Sequence, residues 1–249
     1  MIQLKNEKEV QKIKESGAIL AALFEGLNDV IKPGISTLEV DKWCHNFIKA
    51  HGATAPCLGY YGYPNATCVS VNDTVIHGIP SKKIILKEGD LVSVDICCTL
   101  DGFVSDSTHT YEVGQVSPEV HQLNVVTRKA LYNAIDAAGK KGARLHDIAA
   151  AVEATVNPHH YGIVREYCGH GVGFEMHEEP NIFNYVSRMH SNPRLKPGMV
   201  IAIEPMITMG SCKIHETDDE WTVKTDDGKC ACHWEHTVAI TEEGAVILT

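Results

Sequence analysis

The sequence predicts an α+β fold: one domain of two related halves, each a helix pair followed by antiparallel strands, with the helices packed on one face of the sheet. Three observations carry this. First, Leu86-Lys87-Glu88-Gly89-Asp90-Leu91-Val92-Ser93-Val94-Asp95 is echoed by Leu195-Lys196-Pro197-Gly198-Met199-Val200-Ile201-Ala202-Ile203-Glu204, with leucine, lysine, glycine and the closing acid all displaced by 109. Second, Gly34, Glu39 and Val40 match Gly142, Asp147 and Ile148 at a displacement of 108, and His77-Gly78-Ile79-Pro80 resembles His177-Glu178-Glu179-Pro180 at 100. Third, helical periodicity and short β-rich runs alternate in the same order twice. Two copies are too few for a solenoid, which needs about three stacking units. A single domain over 1-249 is therefore expected, with an internal pseudo-twofold repeat of roughly 1-114 and 115-249.

The elements follow in order. Asn6-Glu7-Lys8-Glu9 has capping-box form, and Val10, Ile13, Leu20, Leu23, Phe24, Leu27 and Val30 carry an amphipathic helix to a Pro33-Gly34 stop. Ser36-Thr37-Leu38-Glu39 opens a second helix ending near His51-Gly52. Ser117-Pro118-Glu119 caps a third, with proline at the first helical position, and Leu145 to Val156 forms its partner. Strands are expected at 68 to 76, 91 to 98, 103 to 113, 163 to 168, 199 to 207, 221 to 225 and 231 to 240. The last two are expected to pair as a hairpin across Asp227-Gly228.

The chain of 249 residues has a net charge of −10, which disfavours phosphate-backbone recognition and hence sequence-specific nucleic-acid binding. No stretch approaches the run of about 20 apolar residues needed to span a bilayer, and the amino terminus has no signal-peptide core, so a cytoplasmic protein is expected. Nine cysteines, scattered without Cys-x-x-Cys pairs, read as reduced thiols.

The chemistry begins at Asp101-Gly102, a strong two-residue hairpin signal. If these residues form the turn, facing positions sum to 203, so Asp106 lies opposite Cys97. Asp95 and Cys97 then share a face, and the carboxylates of Asp95 and Asp106 become diagonal neighbours. Bare, they would repel; divalent cations between them would keep both ionised. Cys168-Gly169-His170-Gly171 offers a nitrogen ligand between glycines that allow close backbone approach, and Glu204 and Glu235 complete the candidates.

In that order and with their local motifs, Asp95, Asp106, His170, Glu204 and Glu235 resemble the metal-binding set of the methionine aminopeptidases, type I, in their short bacterial form. Cys-Gly-His-Gly at 168 to 171, His-Glu-Glu-Pro at 177 to 180, Ile-Glu-Pro-Met at 203 to 206 and Trp-Glu-His-Thr at 234 to 237 carry the likeness over essentially the whole chain. It implies the pita-bread fold and a catalytic domain built around two divalent metal ions. Asp95 would chelate one, His170 and Glu204 the other, and Asp106 and Glu235 would bridge. Four carboxylates carry −4, which two divalent cations balance. Oxygen-rich coordination with one nitrogen suits Mn, Fe or Co and tolerates Zn.

The resemblance further implies hydrolysis of the first peptide bond of nascent polypeptides, removing N-terminal methionine ahead of a small second residue, by metal-activated water with Glu204 assisting proton transfer. His177 would stabilise the tetrahedral oxyanion and His77 would contact the substrate backbone. Cys57, Tyr60, Tyr63 and Cys68 make a soft apolar slot suited to a thioether, to which similarity adds Met176 and Trp221. Asn72 and Thr74 match a monovalent-cation loop, although Ala231 lacks the polar side chain often seen there. A monomer in contact with the ribosome is also implied. The nearest alternative, an X-Pro aminopeptidase or prolidase, usually carries an additional amino-terminal domain, which this chain lacks. A non-catalytic binding protein is disfavoured by the intact ligand set, and a structural metal site by its carboxylates.

Overall fold

The computed structural model describes residues 1–249. Four helices form where capping and periodicity place them: α1 (Glu7–Val30), α2 (Thr37–Ala50), α3 (Pro118–Ala138) and α4 (Leu145–Val156). Asn6 accepts from the backbone of Lys8 and Glu9 while the Glu9 carboxylate accepts from Asn6 N, closing the capping box that starts α1. Ser36 and Glu39 do the same for α2, and Ser117 caps α3 ahead of Pro118. These caps satisfy the free amides of each first turn.

The first half supplies strands β1 (Cys68–Val71), β2 (Thr74–Ile76), β3 (Leu91–Leu100) and β4 (Phe103–Glu112). The second supplies β5 (Gly162–Ile163), β6 (Gly169–Gly171), β7 (Glu178–Ile182), β8 (Val200–Ile203), β9 (Met206–Thr208), β10 (Ile214–Glu216), β11 (Val223–Thr225), β12 (Ala231–His233), β13 (Glu235–Ile240) and β14 (Ala245–Ile247). The main sheet is antiparallel in the order β1-β3-β4-β13-β8-β6-β7, with β14 beside β13. The two halves therefore meet at the β4–β13 seam.

Each half has its own apolar core. Leu20, Leu23, Phe24 and Leu27 of α1 join Val40, Cys44 and Ile48 of α2 against Val92, Val94 and Ile96 of β3. Leu123, Leu131 and Ile135 of α3 join Ile148 and Val152 of α4 against Ile201, Ile203 and Val238. Alternate residues of β3 thus face the helices, and Asp95 falls on the opposite face. The fold is the expected α+β arrangement.

Five expectations are corrected. Asp95 does not end its strand, because β3 continues to Leu100 and the hairpin turns at Asp101-Gly102; Glu204 does lie at a strand end, immediately after Ile203. The run 199 to 207 is split at Pro205, which has no amide hydrogen to donate to a ladder. The expected 221–225/231–240 hairpin does not form. The Asp227-Gly228 turn exists, with Gly228 at φ 67° and its amide on Thr225 O. However, β11 pairs with β2 and β10 while β12 pairs with β9. At Trp234 the chain then leaves β9 for the main sheet, anchored by the indole Nε1–H, which donates to Asn124 of α3 at 2.7 Å. Of the expected strand at 163 to 168 only Ile163 is extended in a ladder, and the one at 68 to 76 is interrupted by the Asn72-Asp73 turn.

Lys5 lies just ahead of α1, and its buried ammonium pairs with the buried Glu178 carboxylate. Glu178 also accepts from the amides of Phe174 and Glu175, so the pair fastens the loop that carries His177. Removing one partner of a buried pair leaves an uncompensated charge. Lys5→Met should lower unfolding free energy by about 3 kcal/mol, and adding Glu178→Gln, which removes the charge but keeps an acceptor oxygen for the Phe174 and Glu175 amides, should restore much of it. Chemical denaturation measures both; a single-variant change below about 0.5 kcal/mol would show that the pair contributes nothing.

Candidate metal centre

The five expected ligands lie along five neighbouring strands. Across the sheet they run Asp95 on β3, Asp106 on β4, Glu235 on β13, Glu204 at the end of β8 and His170 on β6. The β3–β4 register has Cys97 opposite Asp106 and Asp95 opposite Thr108, as the Asp101-Gly102 turn requires. Thr108 is also opposite Glu235 across the seam, so Asp95, Thr108 and Glu235 form one transverse row with Asp106 diagonal to it.

Side-chain hydrogen bonds lock the seam. Thr108 Oγ1 donates to Glu235 Oε2 at 2.9 Å, and Ser107 Oγ donates to Glu235 O at 2.7 Å. Thr237 Oγ1 accepts the Asp106 amide at 2.9 Å and donates to Asp106 O at 2.7 Å, extending the ladder where backbone pairing stops. On β6, a Cβ at Gly169 would collide with Ala202 O, and one at Gly171 with Glu179 O. Only glycine lets His170 sit this tightly between β8 and β7.

One ligand atom from each of Asp106, His170 and Glu235 lies within 4.8 Å of the others. His170 Nε2 is 3.6 Å from Asp106 Oδ2 and 3.5 Å from Glu204 Oε1. His170 Nδ1 lies 2.9 Å from Gly171 O, which makes Nδ1 the protonated nitrogen and leaves the Nε2 lone pair facing the acids. Asp106 Oδ1 is buried with no partner. The only ion-pair neighbours of these carboxylates are His170 and His233.

Burial, reinforced by Asp106, raises Asp95 from an ordinary value of 3.8 to about 7. Asp106 rises to about 7 as well, through burial and then Glu204. Glu204 and Glu235 are pushed well up by burial and by the other acids. Burial drives His170 down to about 3 and His77 to about 4. A set of buried acids that resist ionisation beside a neutral, oriented imidazole is a donor set matched to divalent cations.

The remaining expected residues gather around this centre. His177 stacks obliquely on His170, with centroids 4.3 Å apart, and its Nδ1 lies 3.2 Å from Tyr60 Oη. His77, at φ 56°, faces Tyr167 and Trp221 at 5.7 and 6.2 Å. Trp221 meets Tyr63 edge-on at 5.0 Å, and Tyr63 is anchored by its hydroxyl donating to Thr67 O. Cys57 Sγ is 3.9 Å from Met176 Sδ, and Cys68 is paired directly with Asp95. Asn72 and Thr74 lie at the β1–β2 turn, where Asn72 Oδ1 accepts from Leu91 N and its amide donates to Asp90. A groove of about 540 Å³ on the outer face, lined by Phe24, His109, Arg128 and Trp234, lies apart from this chemistry.

Sequence reasoning missed three residues here: Thr108; Asn184, whose amide donates to Glu204 O at 2.9 Å; and buried His233, whose Nε2 is 3.6 Å from Glu204 Oε2. His233 stands two residues before Glu235, and that spacing was the available signal.

The family model for metallopeptidase family M24 matches residues 11–242. The chain belongs to this family. Among M24 relatives, the methionine aminopeptidase of Treponema pallidum is 45% identical over 249 residues, covering all of this chain and 96% of the relative. Methionine aminopeptidase 1 of Bacillus subtilis is 46% identical, covering 100% and 99%. A crystal structure of methionine aminopeptidase from Rickettsia prowazekii aligns over 100% of both chains with a TM-score of 0.96 at 37% identity. The prolidase of Pyrococcus furiosus aligns over 99% of this chain but 65% of its own, with a TM-score of 0.78 at 25% identity. The M24 fold is thus the pita-bread fold, and the family implies dependence on divalent metal.

The raised acids set a testable pH dependence. Where a folded acid keeps a proton that the unfolded chain has lost, its stability contribution is complete below about pH 4 and disappears as pH rises through about 7. The depressed histidines, His77, His109, His170, His177, His233 and His236, act oppositely, and their effect fades about one unit above their ordinary value of 6.5. Between about pH 7.5 and 8.5 the acids dominate, so the metal-free protein should lose thermal stability as pH rises, and saturating Mn²⁺ should abolish the loss. A melting temperature that climbs across this window under chelation would contradict the assignment.

Proposed function

We propose that Asp95, Asp106, His170, Glu204 and Glu235 hold divalent metal ions in a single catalytic domain spanning 1-249, and that this centre hydrolyses the peptide bond following an N-terminal methionine. The observation that carries the proposal is four carboxylates and one oriented imidazole on five adjacent strands, with no lysine or arginine paired to them. Removal of N-terminal methionine by a metalloexopeptidase is the activity of the relatives at 45% and 46% identity. Asp95 would hold one ion, His170 and Glu204 the other, and Asp106 and Glu235 both. Their place at the seam between the halves supports that sharing.

When bound, two such ions polarise the scissile carbonyl and lower the pKa of water from 15.7 towards about 7. Glu204 receives the proton released as water attacks and passes it to the departing amine. Partial desolvation lowers the pKa of His177, which favours its neutral ring. With Nδ1 accepting from Tyr60, its Nε2–H is free to donate to the developing oxyanion. His77 holds the substrate backbone, and Cys57, Tyr60, Tyr63, Cys68, Met176 and Trp221 receive the methionine side chain.

The preference for a small second residue, action on nascent chains at the ribosome and a monomeric state rest on the family resemblance; a cytoplasmic location is the expectation from the sequence alone. No helix is long and apolar enough to cross a membrane. Mn, Fe, Co and Zn all suit the donor set. Asn72 is committed to Asp90 and Leu91, so its side chain lends no support to a monovalent-cation site with Thr74.

Peptides Met-Ala-X, Leu-Ala-X and X-Pro-X, assayed after metal reconstitution, test the reading. Met-Ala-X should be cleaved preferentially; preferential X-Pro-X cleavage would overturn it. Asp106→Ala should lose both metal and activity. His177→Ala should lower kcat by about 10² or more with metal content unchanged, whereas equal loss of metal would make His177 a ligand.

A further inference from the structure

His233 is held rigidly in place. It pairs with Met206 across β12–β9, its amide donates to Ser93 Oγ at 3.3 Å, and its carbonyl accepts from the Thr110 hydroxyl. Its side chain is 3% exposed, and Nε2 has no hydrogen-bond partner. An orphaned buried ring nitrogen is destabilising, so the fold retains this imidazole at a cost.

The group it faces is also unpartnered. Glu235 is fixed by Thr108 and the Asp106 backbone by Thr237, but the Glu204 carboxylate receives no hydrogen bond from the protein; Asn184 reaches only its main-chain oxygen. Two imidazole nitrogens flank it, His170 Nε2 at 3.5 Å from Oε1 and His233 Nε2 at 3.6 Å from Oε2. His170 carries its proton on Nδ1, so its Nε2 cannot donate. His233 is the one neighbour able to offer Glu204 an N–H. The gap exceeds a hydrogen bond by about half an ångström, within the reach of a small rotation of the glutamate.

We propose that His233 is a positioning residue for Glu204: its Nε2–H donates to Oε2 and holds the carboxylate with Oε1 towards His170. This rests on the metallopeptidase reading above. A glutamate fixed in this way presents one oxygen to the centre and keeps its orientation while it moves a proton, and loss of such an outer contact typically costs 10–100-fold in metal affinity or activity.

The test compares wild type, His233→Leu and His233→Gln. Mn²⁺ affinity of the metal-free proteins is measured by calorimetry, with kcat and KM on Met-Ala-X, and thermal melts establish that each is folded. Leu should weaken Mn²⁺ binding about tenfold and lower kcat by about 10–100-fold with KM nearly unchanged. Gln keeps an N–H donor but is a poor transition-metal ligand, and it should restore both to within about threefold. Wild-type behaviour of the Leu variant would overturn the proposal. Equal losses in Gln and Leu would also overturn it and make His233 a ligand. Should the Leu variant not fold, His233→Asn, too short to reach Glu204, replaces it in the same comparison. A wild-type protein that binds Mn²⁺ but cleaves no peptide would sink the functional reading, and the affinity series would still decide the role of His233.

Discussion

Four carboxylates share a water-poor patch where the two halves of the sheet join, and no lysine or arginine pairs with any of them. Isolated burial of even one such charge is costly, and neighbouring acids compound the cost by repelling one another. The fold meets this constraint with protonation when metal is absent and with divalent cations when they bind. The two states exchange protons for metal, so the centre's stability, metal affinity and pH response are linked quantities.

The surrounding structure holds these repelling groups in place. Each half brings its own core, one beneath α1 and α2, the other beneath α3 and α4, and smaller apolar clusters, such as Cys97 and Val104 with Val172 and Val200, tie the halves together. The seam can then be polar: Ser107, Thr108 and Thr237 are fully buried there, and their hydroxyls fix Glu235 and the Asp106 backbone. Further out, the Lys5–Glu178 pair fastens the loop behind His177, and the glycines around His170 allow β6 to lie close against its neighbours. Rigid elements thus set the site to the precision that catalysis demands.

Much of this was legible because it is local. The Asp101-Gly102 turn set the β3–β4 register, which put Asp95 and Asp106 on one face, and the caps at Asn6, Ser36 and Ser117 set three helix starts. The repeat 86–95/195–204 announced the two halves, although Asp95 sits mid-strand and Glu204 just past the end of β8. What stayed hidden depends on distant pairing. The chain changes sheet at Pro205 and Trp234, and β11 finds β2 across about 150 residues of sequence, so the expected 221–225/231–240 hairpin could not be excluded from local signals. Thr108 and His233 escaped for the same reason: a threonine and a histidine acquire their roles only when Glu235 and Glu204 arrive from other strands.

The central claim is that metal binds at the seam between the halves, through acids contributed by both. Anomalous diffraction from crystals grown with Mn²⁺ tests it directly. A peak is expected between Asp106 and Glu235, with carboxylate oxygens of both as ligands. Strong peaks confined to other parts of the surface, with Asp106 and Glu235 uncoordinated, would contradict it.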